Sequence, residues 1–201
     1  MSGRWLGAAG LLAAYAVVAA RAPKVPGRRE RAVFERVNDS GGQPWLRVPQ
    51  QWGTPWTLPA VAALAAVRRQ GRWAVVVLAC LPVEKGIEVA TKKVRPRPRP
   101  LYVQPTVLRD DAPIEGGSMP SGHAALSACS TLMLAPLVPR PVTAVMTAVV
   151  GLSAWTRVHQ GAHEPVDVAA GLLLGSGIGL AATELGTHWP GRRQRPGPTV
   201  A

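Results

Sequence analysis

Residues 166–185 read VDVAAGLLLGSGIGLAATEL, twenty positions that are apolar or small on every helical face. Such a segment has no polar side to turn to water, and about 20 residues of this kind are what the hydrocarbon core of a bilayer demands. Five other runs approach the same character, at 5–20, 55–67, 73–89, 121–138 and 142–155. Most of them lack the 3.6-residue alternation that a helix with one wet side displays. That disfavours a soluble all-α protein with unusually apolar helices. The expected fold is all-α, a polytopic membrane helical bundle of about six transmembrane helices. Gly171, Gly175 and Gly179, four apart in the last run, would let a neighbouring helix approach closely.

The 201 residues carry 23 Lys and Arg against 11 Asp and Glu, a net charge of +12. A basic balance raises nucleic acid as a partner, but the apolar runs are too long and too uniform for a soluble nucleic-acid-binding domain. Cys80 and Cys129 both sit inside apolar runs, which suits core packing and not a disulfide framework or a Cys-based zinc site. The expected organisation is a first transmembrane helix or signal-like segment (1–22), a basic loop with an interfacial helix (23–54), a catalytic helical core (55–187) and a disordered basic tail (188–201). The first run has two readings: a secretory signal ending at Ala20-Arg21-Ala22, or an uncleaved helix. Residues 30–38 place Val33, Phe34 and Val37 on one helical face, which fits a helix lying at lipid headgroups or a plain loop helix.

Three polar clusters flank the apolar runs. Lys92-Lys93-Val94-Arg95-Pro96-Arg97-Pro98-Arg99-Pro100 follows the third run, and Met119-Pro120-Ser121-Gly122-His123 opens the fourth. Thr156-Arg157, His163 and Asp167 span the end of the fifth and the start of the sixth. If each run crosses the membrane once, parity puts all three clusters on one face. Together they hold six cations, Lys92, Lys93, Arg95, Arg97, Arg99 and Arg157. Such a gathering costs repulsion unless an anion neutralises it, and the arginine fork matches phosphate oxygens. Ser121 is placed to cap the fourth helix, with the Gly122 and His123 amides at its positive end. Gly122 would let the backbone come close to the guest.

His163 and Asp167 are four apart, with Pro165 at a first helical position. A carboxylate holding one imidazole nitrogen leaves the other free as a nucleophile, and His123 could donate a proton to a leaving oxygen. This set reads as phosphoryl transfer through a phosphohistidine in a cationic cradle. Each feature alone has a plainer reading: a stiff basic linker, a helix cap, a local stabilising pair. Zinc on His123, His159 and His163 is disfavoured by the adjacent cations.

The three motifs resemble the signature of the type 2 phosphatidic acid phosphatase superfamily, K-x6-RP, PSGH and SR-x5-H-x3-D. Lys92 with Arg99-Pro100 matches the first, Pro120-Ser121-Gly122-His123 the second, and Arg157, His163 and Asp167 the third, with Thr156 in place of the usual Ser. The resemblance implies His163 as nucleophile, Asp167 as its orienting carboxylate and His123 as proton donor. It also implies Lys92, Arg99, Ser121, Gly122 and Arg157 as phosphate ligands, with no metal or other cofactor. The implied substrates are lipid phosphates or polyprenyl diphosphates, hydrolysed at the extracytoplasmic face of a multi-pass cell-membrane protein. Counting charges does not choose the face: with the six cradle cations set aside, 8 Lys and Arg fall inside and 9 outside. Transfer to an acceptor other than water, vanadate-dependent haloperoxidase chemistry and passive binding of anionic lipid are the competing readings.

Overall fold

The computed structural model describes residues 3–110 and 112–188, without the side chains of Thr187 and His188. Asp111 and the tail from Trp189, expected to be disordered, lie outside the described residues. All six apolar runs form helices, and no strand occurs among the described residues. In chain order the helices are α1 (Gly3–Arg21), α2 (Arg28–Asn38), the one-turn α3 (Arg47–Gln50), α4 (Thr57–Val67), α5 (Gly71–Val94), α6 (Gly122–Leu134), α7 (Arg140–His159) and α8 (Pro165–His188).

Among the described residues, three helices are long and apolar enough to cross a bilayer: Gly3–Arg21, Arg140–His159 and Pro165–Gly186. The other three expected crossings differ from these for physical reasons. α4 has 11 residues, a rise of about 16 Å where the hydrocarbon core is about 30 Å thick. α6 has 13 residues and tightens into a 3-10 turn at Ala135–Leu137, where Pro136 has no amide to continue the ladder. α5 is long, with 24 residues, but carries Glu84, Lys85, Glu88 and Lys92. Charges at that depth are expensive and mark function.

α6 is the centre of the bundle. Eleven of its 13 residues are buried, and α4, α5, α7 and α8 all pack against it. Contact with α8 is closest, because Gly171 and Gly175 remove the side chains that would separate the two backbones. A Cβ on Gly171 would run into the Ser121 carbonyl, and one on Gly175 into the Ala125 carbonyl. Gly179 continues the seam against Leu132. The four-residue spacing therefore does what the sequence implies. α1 packs on the outer side of α8.

α2 lies across the functional end of the bundle. Part of its apolar stripe meets protein: Phe34 and Val37 are buried with Ala124, Ala154, Val158 and Val168, whereas Val33 is exposed. Asn38, at the end of the helix, donates to the carbonyls of Val107 (2.9 Å) and His159 (3.0 Å) and accepts from the Val107 amide at 2.8 Å. Buried amides of this kind fix a surface helix to one place.

Candidate active site

Helix ends that are far apart in the chain converge at one end of the bundle. The Ser121 amide donates to the Asp167 carbonyl at 2.9 Å, joining the start of α6 to the start of α8. The His163 amide donates to the Arg157 carbonyl at 3.2 Å, folding the 160–164 turn back onto α7. Arg99 reaches in from the chain after α5, with Nη1 donating to the Ala162 carbonyl (2.9 Å) and Nε to the Glu115 carbonyl (2.7 Å). His163 consequently lies within charge–charge reach of Arg157, Arg99, Lys92 and His123. The eight expected site residues, Lys92, Arg99, Ser121, Gly122, His123, Arg157, His163 and Asp167, thus share one region.

Three of their polar atoms are buried without a hydrogen-bond partner: Ser121 Oγ, Arg157 Nε and His163 Nδ1. Ser121 stands at the N-cap position of α6, yet its hydroxyl caps nothing, so it is available to a guest. Arg157 uses Nη1 on Gln160 Oε1 at 2.8 Å and leaves Nε unpaired. Unsatisfied buried donors are rare and costly, about 1–3 kcal/mol each. The hydroxyl of Thr156, where Ser is usual, bonds the Leu152 carbonyl of its own helix at 2.8 Å.

Burial drives the His163 imidazole well below its usual pKa, and the charges of Arg157, Arg99, Lys92 and His123 push in the same direction. The ring is therefore neutral at physiological pH, the form in which it is a nucleophile. Its Nδ1 faces Asp167 Oδ2 at 3.9 Å, ion-pair range but beyond a hydrogen bond. Asp167 is engaged elsewhere. Oδ1 accepts from Arg97 Nη1 at 2.5 Å, and Oδ2 accepts from the Glu164 amide at 2.8 Å. Arg97 in turn spreads its fork over both Glu30 oxygens at 3.1 Å and donates Nε to the Pro23 carbonyl at 2.8 Å. Burial works against the Arg97 charge, but Asp167 and Glu30 outweigh it and raise its pKa. Glu30 also accepts from the Val166 amide at 3.2 Å, so α2 is tied to the first turn of α8.

The six expected cations divide. Lys92, Arg97, Arg99 and Arg157 turn inward, whereas Lys93 and Arg95 are exposed, and Arg95 donates to the Ala20 carbonyl at 2.6 Å. A seventh cation, Lys85, joins through Glu88, which accepts from both Lys85 and Lys92 at 2.5 Å. His159 points away, with Nε2 2.7 Å from the Gly41 carbonyl. Two residues that follow Arg99 tie the chain to this end of the bundle: Asp110 pairs with Arg47 and accepts from Gln160 at 3.1 Å, and Gln104 donates to Glu164 at 2.8 Å. Burial, reinforced by Glu30 and Asp167, raises the Glu164 carboxyl to about 8.

Sequence reasoning missed Arg97 as a partner of Asp167, and it missed Glu30 and Glu88 altogether. Two signals were present: Glu88 is an acid on an expected membrane span, four residues before Lys92, and Glu30 lies in the first turn of the amphipathic helix.

The chain belongs to the PAP2 superfamily, whose family pattern matches residues 72–190. It is 28% identical over 134 residues to an undecaprenyl-diphosphatase of Sulfolobus acidocaldarius, a match covering 66% of this chain and 65% of that protein. It is 31% identical over 139 residues to a decaprenylphosphoryl-5-phosphoribose phosphatase of Mycobacterium tuberculosis, covering 69% of this chain and 72% of that one. The chain thus spans about two thirds of the length of these relatives. Its fold is that of the transmembrane PAP2 type phosphatidylglycerolphosphate phosphatase of Bacillus subtilis, with a TM-score of 0.71 at 19% identity over 92% of this chain and 98% of that one. LpxE of Aquifex aeolicus is also similar, with a TM-score of 0.66 at 20% identity over 76% and 93% of the two chains.

Proposed function

We propose that this PAP2-superfamily member is an integral membrane phosphatase that hydrolyses lipid phosphate monoesters or polyprenyl diphosphates through a phosphohistidine on His163. The observation that carries the reading is that two buried donors without a hydrogen-bond partner, Ser121 Oγ and Arg157 Nε, share one end of the bundle with His163, Lys92, Arg99 and His123. An anion with several oxygens satisfies the two donors at once. The names of both sequence relatives, an undecaprenyl-diphosphatase and a decaprenylphosphoryl-5-phosphoribose phosphatase, favour a polyprenyl-linked phosphate as the first substrate to try. An apolar groove of about 370 Å³ between α1, α5 and α8, lined by Leu12, Val83, Ile87 and Ile178 among others, suits a hydrocarbon tail beside the helix that bears Lys92.

The chemistry follows from the side chains. Neutral His163, with Nδ1 turned to Asp167, attacks phosphorus through the Nε2 lone pair. The bond from phosphorus to the leaving oxygen breaks with its electron pair on oxygen, and His123 supplies the proton that oxygen needs; burial and Arg157 push its imidazole down to about 3, so it takes up that proton as the anionic phosphate enters beside it. Lys92, Arg99, Arg157, Ser121 and the Gly122 amide hold the equatorial oxygens as charge spreads over them. Water then attacks the phosphohistidine, His123 takes its proton, the phosphorus–nitrogen bond breaks, and inorganic phosphate leaves. An extracytoplasmic site on a cell-membrane protein is part of this reading.

The test is phosphate release from undecaprenyl diphosphate, phosphatidic acid and phosphatidylglycerol phosphate in micelles, with candidate alcohols added to reveal transfer to other acceptors. Wild type should release phosphate from at least one of them and yield an acid-labile phosphoenzyme. His163→Ala should do neither while eluting as a folded protein. Wild-type-like turnover by that variant would refute the mechanism.

A further inference from the structure

Four charged side chains in the second half of α5 form one linked set, with Glu84 Oε2 3.5 Å from Lys85 Nζ at its inner end. Glu88 Oε1 accepts from Lys92 Nζ at 2.5 Å, and Glu88 Oε2 accepts from Lys85 Nζ at 2.5 Å. The spacings of four and three residues put both ammonium groups on the same helix face as the carboxylate. That carboxylate also covers the start of α6. A Cβ on Gly122 would lie 2.6 Å from Glu88 Oε2 and 2.7 Å from Oε1. Arg99 and His123 are within charge–charge reach of it. Glu88 is buried, and it precedes the Lys92 that opens the family signature.

This is the place where Lys92 and the Gly122 amide would hold a phosphate. A helix N-terminus beside an ammonium group selects an anion, and here the protein supplies one of its own. Resting on the phosphatase reading above, we propose that Glu88 is a tethered, displaceable counter-anion of the phosphate cradle. It covers Lys92 and the α6 N-terminus until a substrate phosphate takes them, and is then held by Lys85 alone. No covalent bond is made or broken in this exchange. While it covers the cradle, Glu88 offsets the mutual repulsion of Lys85, Lys92, Arg99 and Arg157. When product forms, the carboxylate competes for the same donors from a fixed tether and favours release of inorganic phosphate.

Equilibrium binding of inorganic phosphate to the purified full-length protein in detergent, measured by calorimetry, tests this. If Glu88 covers the cradle about nine-tenths of the time, Glu88→Gln tightens phosphate binding about tenfold, because the competent fraction rises to one. Glu88→Asp, whose carboxylate is withdrawn by one methylene, should tighten it by a smaller factor. A merely structural role for Glu88 would weaken binding, not tighten it. Unchanged or weaker binding by folded Glu88→Gln overturns the proposal. Where that variant does not fold, the same result with Glu88→Asp overturns it, and if neither folds the carboxylate is a fixed structural anion and the proposal falls. Failure of the wild type to release phosphate from any lipid would sink the phosphatase reading alone, since the binding comparison needs no turnover.

Discussion

Arg97 Nη1 donates to Asp167 Oδ1 at 2.5 Å, a shorter link than any that Asp167 makes to His163. The carboxylate four residues after His163 is thereby held from two sides, by the guanidinium and by the Glu164 amide. Glu30 on α2 holds the far side of that guanidinium. Three segments of the chain thus fix the group that faces the His163 ring.

Arg97→Lys keeps a charge but loses the fork that spans Asp167 and Glu30. We expect kcat to fall by about 10- to 100-fold, the cost of misplacing a reacting group by an ångström or less, with KM little changed. Steady-state kinetics on the best lipid substrate check this. A fall confined to KM would mean that Arg97 binds substrate and does not position Asp167.

Removing the nucleophile and removing the proton donor should differ. His163→Ala abolishes turnover with every substrate. His123→Ala should lose about 10²- to 10⁴-fold on a lipid alcohol, the usual worth of a general acid, and much less on p-nitrophenyl phosphate, whose leaving group needs no proton. Equal losses on both substrates would remove His123 from that role.

Glu164 makes stability depend on pH. Its carboxyl is raised from the ordinary 4.5 to about 8 by burial and by Glu30 and Asp167, so the folded protein keeps a proton that the unfolded chain has already lost. Between about pH 4.5 and pH 8 the native state therefore binds more protons, and its stability falls as pH rises. Glu164→Gln should abolish this slope: equal Tm to wild type near pH 5 and a Tm several degrees higher near pH 8. Scanning fluorimetry of both proteins in detergent across that range decides it.

The α6–α8 seam admits nothing larger than glycine at position 175, where a Cβ meets the Ala125 backbone. Gly175→Leu should cost at least about 1–3 kcal/mol, the range for forced overpacking. It should also reduce activity, because the same two helices position Ser121 and Asp167. An undiminished thermal transition in Gly175→Leu would contradict the packing.

Much of this was legible beforehand because it is local. The glycines at 171, 175 and 179 mark a close seam because four residues return to the same helix face. Lys92, His123 and His163 could be assigned to one end of the bundle because each adjoins the end of an apolar run. The lengths of the crossings were less legible. α4 and α6 read as spans by composition, but their helices stop at 11 and 13 residues, and hydropathy does not report where a backbone ladder ends.

The sequence by itself determined an all-helical membrane chain with three polar clusters at the ends of its apolar runs, since hydropathy and helical period act over a few turns, and the eight site residues within those clusters came from the family resemblance. Only the tertiary structure decided which charge answers which. Asp167 is held by Arg97 and not by its neighbour four residues away, Glu30 reaches the site from a helix more than 130 positions earlier, and Glu88 lies over Gly122. Coulomb and hydrogen-bond partners are chosen by distance in space, to within an ångström, and that distance exists only once α2, α5, α6 and α8 have packed.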